Sequence, residues 1–278
     1  MRRLLPVAAC LLLASPARAQ NPIVHFDFQS LGAFDVELCQ EVHAPRCPQA
    51  APNTVANFLG YMQRGAYGPT SFVHRNVTFY KTGTTDVGLS VIQGGSFFIT
   101  DLGTGNGPGW DCVVPYECGV SGSQPPPVLK NEFNQSNLRG TVAVPLVSLP
   151  NAQTACDTDP DSGTSGWFIN RDDADASIDC GRFTVFGVVV GNGMDVVDRI
   201  GALPVLCFED PLHPGACDPV FSDVPLLGYP DPCGGKGQPK CPDPIDYLVY
   251  YSVPEPVGRL EAAAAFAAIG AVALGRRR

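Results

Sequence analysis

The chain has 278 residues, a formal net charge of −9 and 16% charged side chains. Its hydrophobic content of 45% is enough for a sizeable core and excludes wholesale disorder, while 30 Gly and 27 Pro indicate many turns and little helix. An acidic chain with only four lysines is not expected to bind duplex nucleic acid. Eleven cysteines are an odd number, which needs an explanation in any disulfide-bonded protein.

The N-terminus, residues 1–19, has the layout of a secretory signal peptide. Two arginines precede an apolar run over residues 4–14, and Ala17 and Ala19 supply small residues before a cleavage site ahead of Gln20. The alternative is lipoprotein processing at Cys10, although the apolar run continues past that residue. Cleavage after residue 19 would remove Cys10 and leave ten cysteines in the mature chain.

The C-terminus, residues 253–278, is a second basic end. The string Val253-Pro254-Glu255-Pro256 precedes an alanine-rich apolar stretch over residues 262–274, and three arginines follow. The apolar stretch is short for a membrane-spanning helix, and the arginines fit the positive-inside rule. This order resembles the PEP-CTERM sorting tails of exported bacterial proteins. The resemblance implies transient membrane anchoring and then cleavage by a sorting protease; the alternative is a plain single-pass anchor.

The ten remaining cysteines suit a disulfide framework in an exported protein. They are sequence neighbours in pairs, and five local bridges would contribute about 2–3 kcal/mol each in the loop-entropy model. The spacing contains no Cys-x-x-Cys or Cys/His cluster, so no metal site is expected. Sequence alone leaves the connectivity open. The candidate pairs are Cys39 with Cys47, Cys112 with Cys118, Cys156 with Cys180, Cys207 with Cys217, and Cys233 with Cys241.

Between the two ends the pattern is strand, turn, strand. Residues 23–28 and 32–38 alternate apolar and polar side chains and predict a hairpin. Residues 51–61 change to helical spacing, and residues 194–200 predict a second short amphipathic helix. The most strand-like segment is 182–189. Many short strands with two helices predict one closed or nearly closed β-barrel.

The order of these segments resembles the cyclophilins, the barrel-type peptidyl-prolyl isomerases, over residues 23–202. The shared order carries the resemblance, because each string is weak by itself. The matching strings are Gly32 to Leu38, Ala51 to Phe58, Tyr67, His74-Arg75, Gln93-Gly94-Gly95, Asn131-Glu132-Phe133, Ser136-Asn137, Arg139 to Ala143, Trp167 to Asn170, Phe183 to Val189 and Gly193 to Ile200.

The resemblance implies a mainly β fold: a closed, eight-stranded antiparallel barrel capped by two helices, with loop insertions stapled by disulfides. The expected cyclophilin-like domain covers residues 22–252. It comprises the matching core, 23–202, and an extension rich in Cys and Pro, 203–246. The role of this extension is not apparent from the sequence.

The implied reaction is rotation about an X–Pro peptide bond, which forms no covalent bond to the enzyme. The barrier of about 18–20 kcal/mol arises because the nitrogen lone pair is delocalised into the carbonyl. Both isomers of X–Pro bonds are populated, and they interconvert slowly without a catalyst. An enzyme therefore needs an apolar slot for the proline ring and a donor that favours the twisted amide.

The resemblance assigns these roles to particular residues. Arg75 matches the family's catalytic arginine, and Gln93 matches the glutamine that holds substrate and arginine in place. Phe168 matches the floor of the proline slot, and no cofactor is implied. Without the resemblance, Arg75 would be read as a surface ion-pair former and Phe168 as ordinary core. The expected walls of the slot are Val91, Val144, Ile178 and Phe183.

Several departures from the family pattern cluster at the substrate groove. The usual Phe-His-Arg string is interrupted by Val73, and Ser90 stands where an aromatic side chain usually lines the slot. Pro145-Leu146 replaces an Ala-Asn pair, and Gly166 replaces a glutamine. These changes affect the expected activity more than the expected fold.

The sequence therefore predicts a monomeric peptidyl-prolyl cis–trans isomerase that acts on exported chains outside the cytoplasm. Its expected partners are proline-containing polypeptides and the sorting protease, and its expected contact with a membrane is through the tail only. The alternative is a catalytically weak or inactive module on the same barrel that binds Pro-containing peptides or surface proteins. A third hypothesis is a disulfide-rich structural domain.

Overall fold

The computed structural model describes residues 20–79, 89–101, 109–208, 217–218, 220–230 and 244–254. The predicted signal peptide and the sorting tail beyond Pro254 lie outside these ranges. In the described part of the chain, no helix has both the length and the apolar character needed to cross a bilayer.

The described elements are mainly short strands, as the sequence predicts. The two α-helices are α1 (Pro52–Gln63) and α2 (Gly193–Gly201), and short 3-10 helices cover Gln29–Leu31, Asp173–Gly181 and Pro244–Tyr247. The strands are β1 (Ile23–Asp27), β2 (Ala33–Leu38), β3 (Ser71–Phe72), β4 (Arg75–Phe79), β5 (Leu89–Gly94), β6 (Phe97–Asp101), β7 (Gly109–Cys112), β8 (Thr141–Ala143), β9 (Trp167–Asn170), β10 (Val185–Val190), β11 (Val205–Leu206), β12 (Val224–Pro225) and β13 (Tyr250–Tyr251).

These strands form antiparallel sheets. The largest has seven strands in the order β1-β2-β10-β8-β9-β5-β4, and a second has four in the order β13-β3-β6-β7. Strands β11 and β12 form a separate pair. The predicted hairpin is confirmed as β1–β2, and both predicted helices are present.

The prediction of a closed eight-stranded barrel is wrong for the described residues, because no continuous ladder joins the edge strands β1 and β4. The chain changes sheets between two consecutive residues: the Val73 amide donates to the Val249 carbonyl at 3.0 Å, and the His74 amide donates to the Gln93 carbonyl at 3.1 Å. At the other edge, β1 reaches β13 only through the isolated bridge between Asp27 and Ser252. The two-residue strands β3 and β13 are too short to continue the ladder.

The main core lies on one face of the seven-stranded sheet, beneath the two helices. Phe26 is fully buried there, and its ring meets the edge of Trp167 with centroids 5.2 Å apart. Helix α1 contributes Phe58, whose ring packs 5.2 Å from that of Phe186 on β10. Helix α2 adds Ile200 to the same core. Alternate residues of the sheet therefore face this core, and their neighbours face the opposite side.

The extension after α2 forms a second core with the smaller sheet. Phe221, Val224 and Leu226 are each at most 1% exposed and pack with Phe72 and Ile99. The extension is thus an integral part of the fold. The extension also explains why the aromatic residue of the Phe-Val-His-Arg string is displaced by one position: this residue, Phe72, packs in the second core.

Four of the five predicted disulfide pairs are bonded in the structure. Each of the four closes a local loop, as the sequence spacing predicts. The bonded pairs are Cys39–Cys47, Cys112–Cys118, Cys156–Cys180 and Cys207–Cys217.

The fifth predicted pair is not among these bonds. Cys233 and Cys241 both fall in the range 231–243, which lies outside the described residues. The bridge between Cys233 and Cys241 therefore stays a prediction from the sequence spacing, and all four of the predicted pairs whose cysteines lie in the described ranges are bonded.

His74 lies at the junction of the two sheets and makes the fold sensitive to acid. It is 2% exposed, its ring packs edge-on against Phe97, and its Nδ1 has no hydrogen-bond partner. Burial lowers the pKa of His74 to about 3, and the neighbouring positive charge of Arg75 acts in the same direction. The native state therefore holds this imidazole neutral, whereas the unfolded chain protonates it below its ordinary pKa of about 6.5.

Because the unfolded state binds the extra proton, the free energy of unfolding should fall as the pH drops from 6.5 towards 3. The slope from this one group is at most about 1.4 kcal/mol per pH unit. His74→Phe should remove this component, as measured by urea unfolding at several pH values. Val128→Ala, at a position that is 68% exposed and carries no titratable group, is the control and should keep the wild-type dependence. An unchanged dependence in His74→Phe would contradict the assignment.

Candidate active site

Three residues predicted from separate motifs lie side by side on one face of the large sheet. Arg75 is opposite Gln93 in the β4–β5 ladder, and Gln93 is opposite Phe168 in the β5–β9 ladder. Directly paired residues on neighbouring strands point to the same side of a sheet. The strand register therefore forms a row of a guanidinium, an amide and an aromatic ring on the face turned away from the main core.

This row borders a cavity of about 460 Å³. Six of the seven predicted site residues line it: Arg75, Gln93, Phe168, Val91, Ile178 and Phe183. The other lining residues are Leu89, Pro145, Leu146, Ser148, Ala152, Gln153, Thr154, Ala155 and Thr158.

The base of the cavity is apolar. Phe168 is 4% exposed, and its ring meets that of Phe183 edge-on with centroids 5.6 Å apart. Val91 and Ile178 are buried in the same cluster. An aromatic floor with aliphatic walls offers a small apolar ring a surface that excludes water. The cluster can therefore act as the proline slot expected from the sequence.

Val144 and Ser90 do not line the cavity. Both positions follow from the two-residue period of a strand. On β5 the residues that line the cavity are Leu89, Val91 and Gln93, and on β8 it is Ala143 that packs in the apolar cluster at its base. Val144 instead joins the main core. Ser90 is 2% exposed, and its amide donates to the Asp175 carboxylate at 2.6 Å. The substitution at position 90 therefore lies outside the groove.

Arg75 supplies the positive charge beside this apolar floor. Its Nε is buried and has no hydrogen-bond partner. Burial lowers the pKa of Arg75 from its usual value, while the negative charge of Asp223 acts in the opposite direction. The Arg75 guanidinium nevertheless remains protonated, because an arginine side chain keeps its charge even when buried. A largely desolvated guanidinium that lines the cavity is well suited to form a hydrogen bond with a ligand there.

One wall of the cavity is a loop whose role the sequence analysis missed. Residues 146–158 fold back on themselves through a bridge between Ser148 and Thr158. The disulfide Cys156–Cys180 then ties this loop to the 3-10 helix Asp173–Gly181, which carries Ile178. The cysteine pairing could have revealed this wall, because Cys180 lies two residues beyond a predicted slot residue.

Two departures from the family pattern, Pro145 and Gly166, are coupled by packing. Gly166 is buried, and a Cβ atom built on it would lie 2.6 Å from Cγ of Pro145 and 3.0 Å from Oγ of Ser96. The proline ring thus occupies the space that a side chain at position 166 would need. A glutamine at 166 is incompatible with a proline at 145 in this geometry.

Gly166→Ala should therefore lower the free energy of unfolding by about 1–3 kcal/mol, because the new methyl group overpacks this site. Pro145→Ala in the same chain should recover most of the loss, with a coupling energy of about 0.5–3 kcal/mol in a double-mutant cycle followed by urea unfolding. Gly68→Ala, whose Cβ would be 3.5 Å from the nearest carbonyl oxygen, is the control and should be nearly neutral. Additive effects of the two substitutions would contradict the coupling.

Among the residues that the structure describes, no three His, Cys, Asp or Glu side chains cluster in a way that could hold a metal ion. The cavity offers one cation, two side-chain amides, several hydroxyl groups and an apolar floor. This arrangement can bind an amide-containing chain with an apolar ring, and it contains no nucleophile paired with a base.

Comparison with known proteins agrees with this geometry. The family model described as cyclophilin type peptidyl-prolyl cis-trans isomerase/CLD matches residues 30–214. Peptidyl-prolyl cis-trans isomerase B of Escherichia coli (strain K12) is 32% identical over 158 residues, which cover 54% of this chain and 71% of that protein. Peptidyl-prolyl cis-trans isomerase A of Dickeya dadantii (strain 3937) is 30% identical over 192 residues, which cover 67% of this chain and 75% of that protein.

Solved structures with similarity to the chain include a cyclophilin type peptidyl-prolyl cis-trans isomerase of Cryptosporidium parvum, crystallised in the presence of the dipeptide Ala-Pro. It is 16% identical, with a TM-score of 0.40, and the match covers 83% of this chain and 98% of that one. The family match and the two bacterial relatives carry the assignment: the chain belongs to the cyclophilin-type peptidyl-prolyl cis-trans isomerases, and it is an isomerase of that family.

Proposed function

We propose that this protein accelerates the cis–trans isomerisation of X–Pro bonds in exported polypeptides, by a non-covalent mechanism in which Arg75 is the donor. The observation that carries the proposal is the row of Arg75, Gln93 and Phe168 beside one apolar cavity. A row of this kind places a charged donor next to a slot of a size suited to a proline ring.

In this mechanism the proline ring of the substrate rests on Phe168 and Phe183. Twisting the amide localises the lone pair on the prolyl nitrogen, and a guanidinium donor directed at that nitrogen stabilises the twisted state more than the planar one. Gln93, between Arg75 and Phe168 in the sheet, holds the substrate backbone and the guanidinium in register. The low polarity of the cavity floor strengthens the interaction with the charge of Arg75.

The departures in the groove indicate how substrate binding differs from that of other family members. A proline at position 145 has no N–H group, so this position cannot donate to the backbone of a bound peptide. The 146–158 loop contributes Ser148, Thr154 and Thr158 to the cavity lining. The hydroxyl groups of Thr154 and Thr158 already donate to Asp157 and Gly181, so they do not replace the missing backbone donor. We therefore expect the peptide backbone to be bound with lower affinity and lower sequence specificity, while the proline slot is retained.

Arg75→Ala should reduce kcat/KM by about 10²–10³-fold, the range found when a donor to a transition state is removed. The assay follows the cis-to-trans relaxation of an Ala-Pro peptide in the presence of mature protein. Arg75→Lys should restore only part of the activity, because an ammonium group lacks the fixed geometry of the guanidinium. Arg64→Ala is the control, since Arg64 stacks on the ring of Tyr61 away from the cavity.

The alternative function, a binding module without activity, is separated by the same experiment. A wild-type protein that binds the peptide but leaves its relaxation unchanged would contradict the proposed mechanism and favour the module. The apolar cavity would then serve for capture alone. Loss of acceleration in Arg75→Ala with peptide binding retained would support catalysis.

We also propose that the protein acts outside the cytoplasm and is held transiently at the membrane by its C-terminal tail. The supporting features are the layout of both termini and the four disulfides. Intact-mass measurement of the protein from its native host should place the N-terminus at Gln20 and show removal of the segment after Pro256. A reductant should then expose ten thiols, including those of Cys233 and Cys241. A retained N-terminus or ten free thiols without reductant would contradict the proposal.

A further inference from the structure

The chain returns to the active site after the family-matched region has ended at residue 214. In the extension, the carbonyl oxygen of Asp223 accepts a hydrogen bond from the amide of Asn76 at 2.8 Å. Asn76 directly follows Arg75 on β4, the edge strand of the large sheet. This bond places residue 223 beside the catalytic arginine proposed above.

The surroundings of Asp223 fix its position. Phe221 and Val224, on either side of it, are 1% and 0% exposed in the second core, so the intervening backbone has little freedom. The hydroxyl group of Ser222 donates to Oδ2 of Asp223 at 2.6 Å, which restrains the rotation of the carboxyl group. The acid is therefore held by both its backbone and its side chain.

The negative charge of Asp223 stabilises the buried positive charge of Arg75. The guanidinium is largely removed from water, and its Nε has no hydrogen-bond partner. The adjacent His74 is neutral in the native state and adds no second positive charge. Asp223 supplies the opposing charge, and its attraction acts on a flexible side chain that must keep one orientation to serve as a donor.

We propose that Asp223 is a positioning residue for Arg75, so that the extension completes an active site that the family-matched core does not complete alone. This inference rests on the proposed function, because it assigns Asp223 a role through Arg75. The carboxylate does not touch the substrate in this arrangement. Among the described residues it forms no hydrogen bond or ion pair with Arg75. Its electrostatic field, applied from the backbone position fixed by the bond to Asn76, stabilises the charge of the buried guanidinium and favours one orientation of it.

The test compares Asp223→Asn with two reference variants. Asp223→Asn keeps the backbone bond to Asn76 and an oxygen for Ser222, and it removes only the charge. Asp223→Glu restores the charge, and Asp246→Asn removes a charge from an exposed position of the same extension. For Ala-Pro peptide relaxation, Asp223→Asn should lower kcat by about 10- to 100-fold with little change in KM, as expected for a misplaced group.

A double-mutant cycle with Arg75→Ala separates positioning from a general structural effect. If Asp223 acts through Arg75, then Asp223→Asn should have no further effect in the Arg75→Ala background. Equal losses in both backgrounds, or a loss matched by Asp246→Asn, would overturn the proposal. So would an active wild-type protein whose Asp223→Asn variant is unchanged, and that result would leave the isomerase function intact.

A second measurement does not depend on activity. The Nε–H resonance of Arg75, assigned by its absence in Arg75→Lys, should shift and broaden in Asp223→Asn and stay unchanged in Asp246→Asn. An unchanged resonance in Asp223→Asn would overturn the positioning role whatever the activity of the wild-type protein. A shifted resonance in a protein without activity would support the positioning role while the proposed function failed.

Discussion

The two-residue period of the strands is the constraint on which both the core and the groove depend. On β9, Trp167 and Ile169 face the main core, and Phe168 faces the cavity. Trp167 is fully buried, and its indole N–H donates to the Tyr251 hydroxyl at 3.2 Å, so its place admits no other register. A slip by one residue would move the indole to the groove and the substrate-facing ring into the core. Packing inside the protein thus determines which side chain meets the substrate.

The same period explains what could be predicted from the sequence. The resemblance in motif order predicted that Arg75, Gln93 and Phe168 share one site, and the strand register brings the three side by side. Their roles stay a prediction. Val144 was assigned to a wall although it packs in the main core and its neighbour Ala143 joins the cluster at the base of the cavity. Val142, Ala143 and Val144 are all apolar, so the sequence shows no alternation there. The interrupted barrel was not foreseen, because the change of sheet at Val73-His74 depends on hydrogen bonds to residues distant in the chain.

The departures from the family pattern are connected to one another and to added structure. Pro145 and Gly166 fit only as a pair, because the proline ring occupies the volume a side chain would take. The aromatic shifted to Phe72 joins a second core that includes Phe221 from the extension. In the sequence each change is visible only as a separate replacement of a family residue. Tertiary contacts between positions far apart in the chain leave no local pattern.

The disulfide bond between Cys156 and Cys180 makes the shape of the groove depend on the redox conditions of the compartment. One cysteine lies on the loop wall and the other on the helix that carries Ile178, and both are exposed at the rim. In a reducing environment the bond would be absent, and the wall could move away from the proline slot. In the oxidised form the disulfide acts together with the hydrogen bond from the Thr158 hydroxyl to the Gly181 carbonyl, at 2.7 Å, to hold the loop wall against this helix. The spacing of the two walls is therefore fixed most firmly in a compartment where disulfides form.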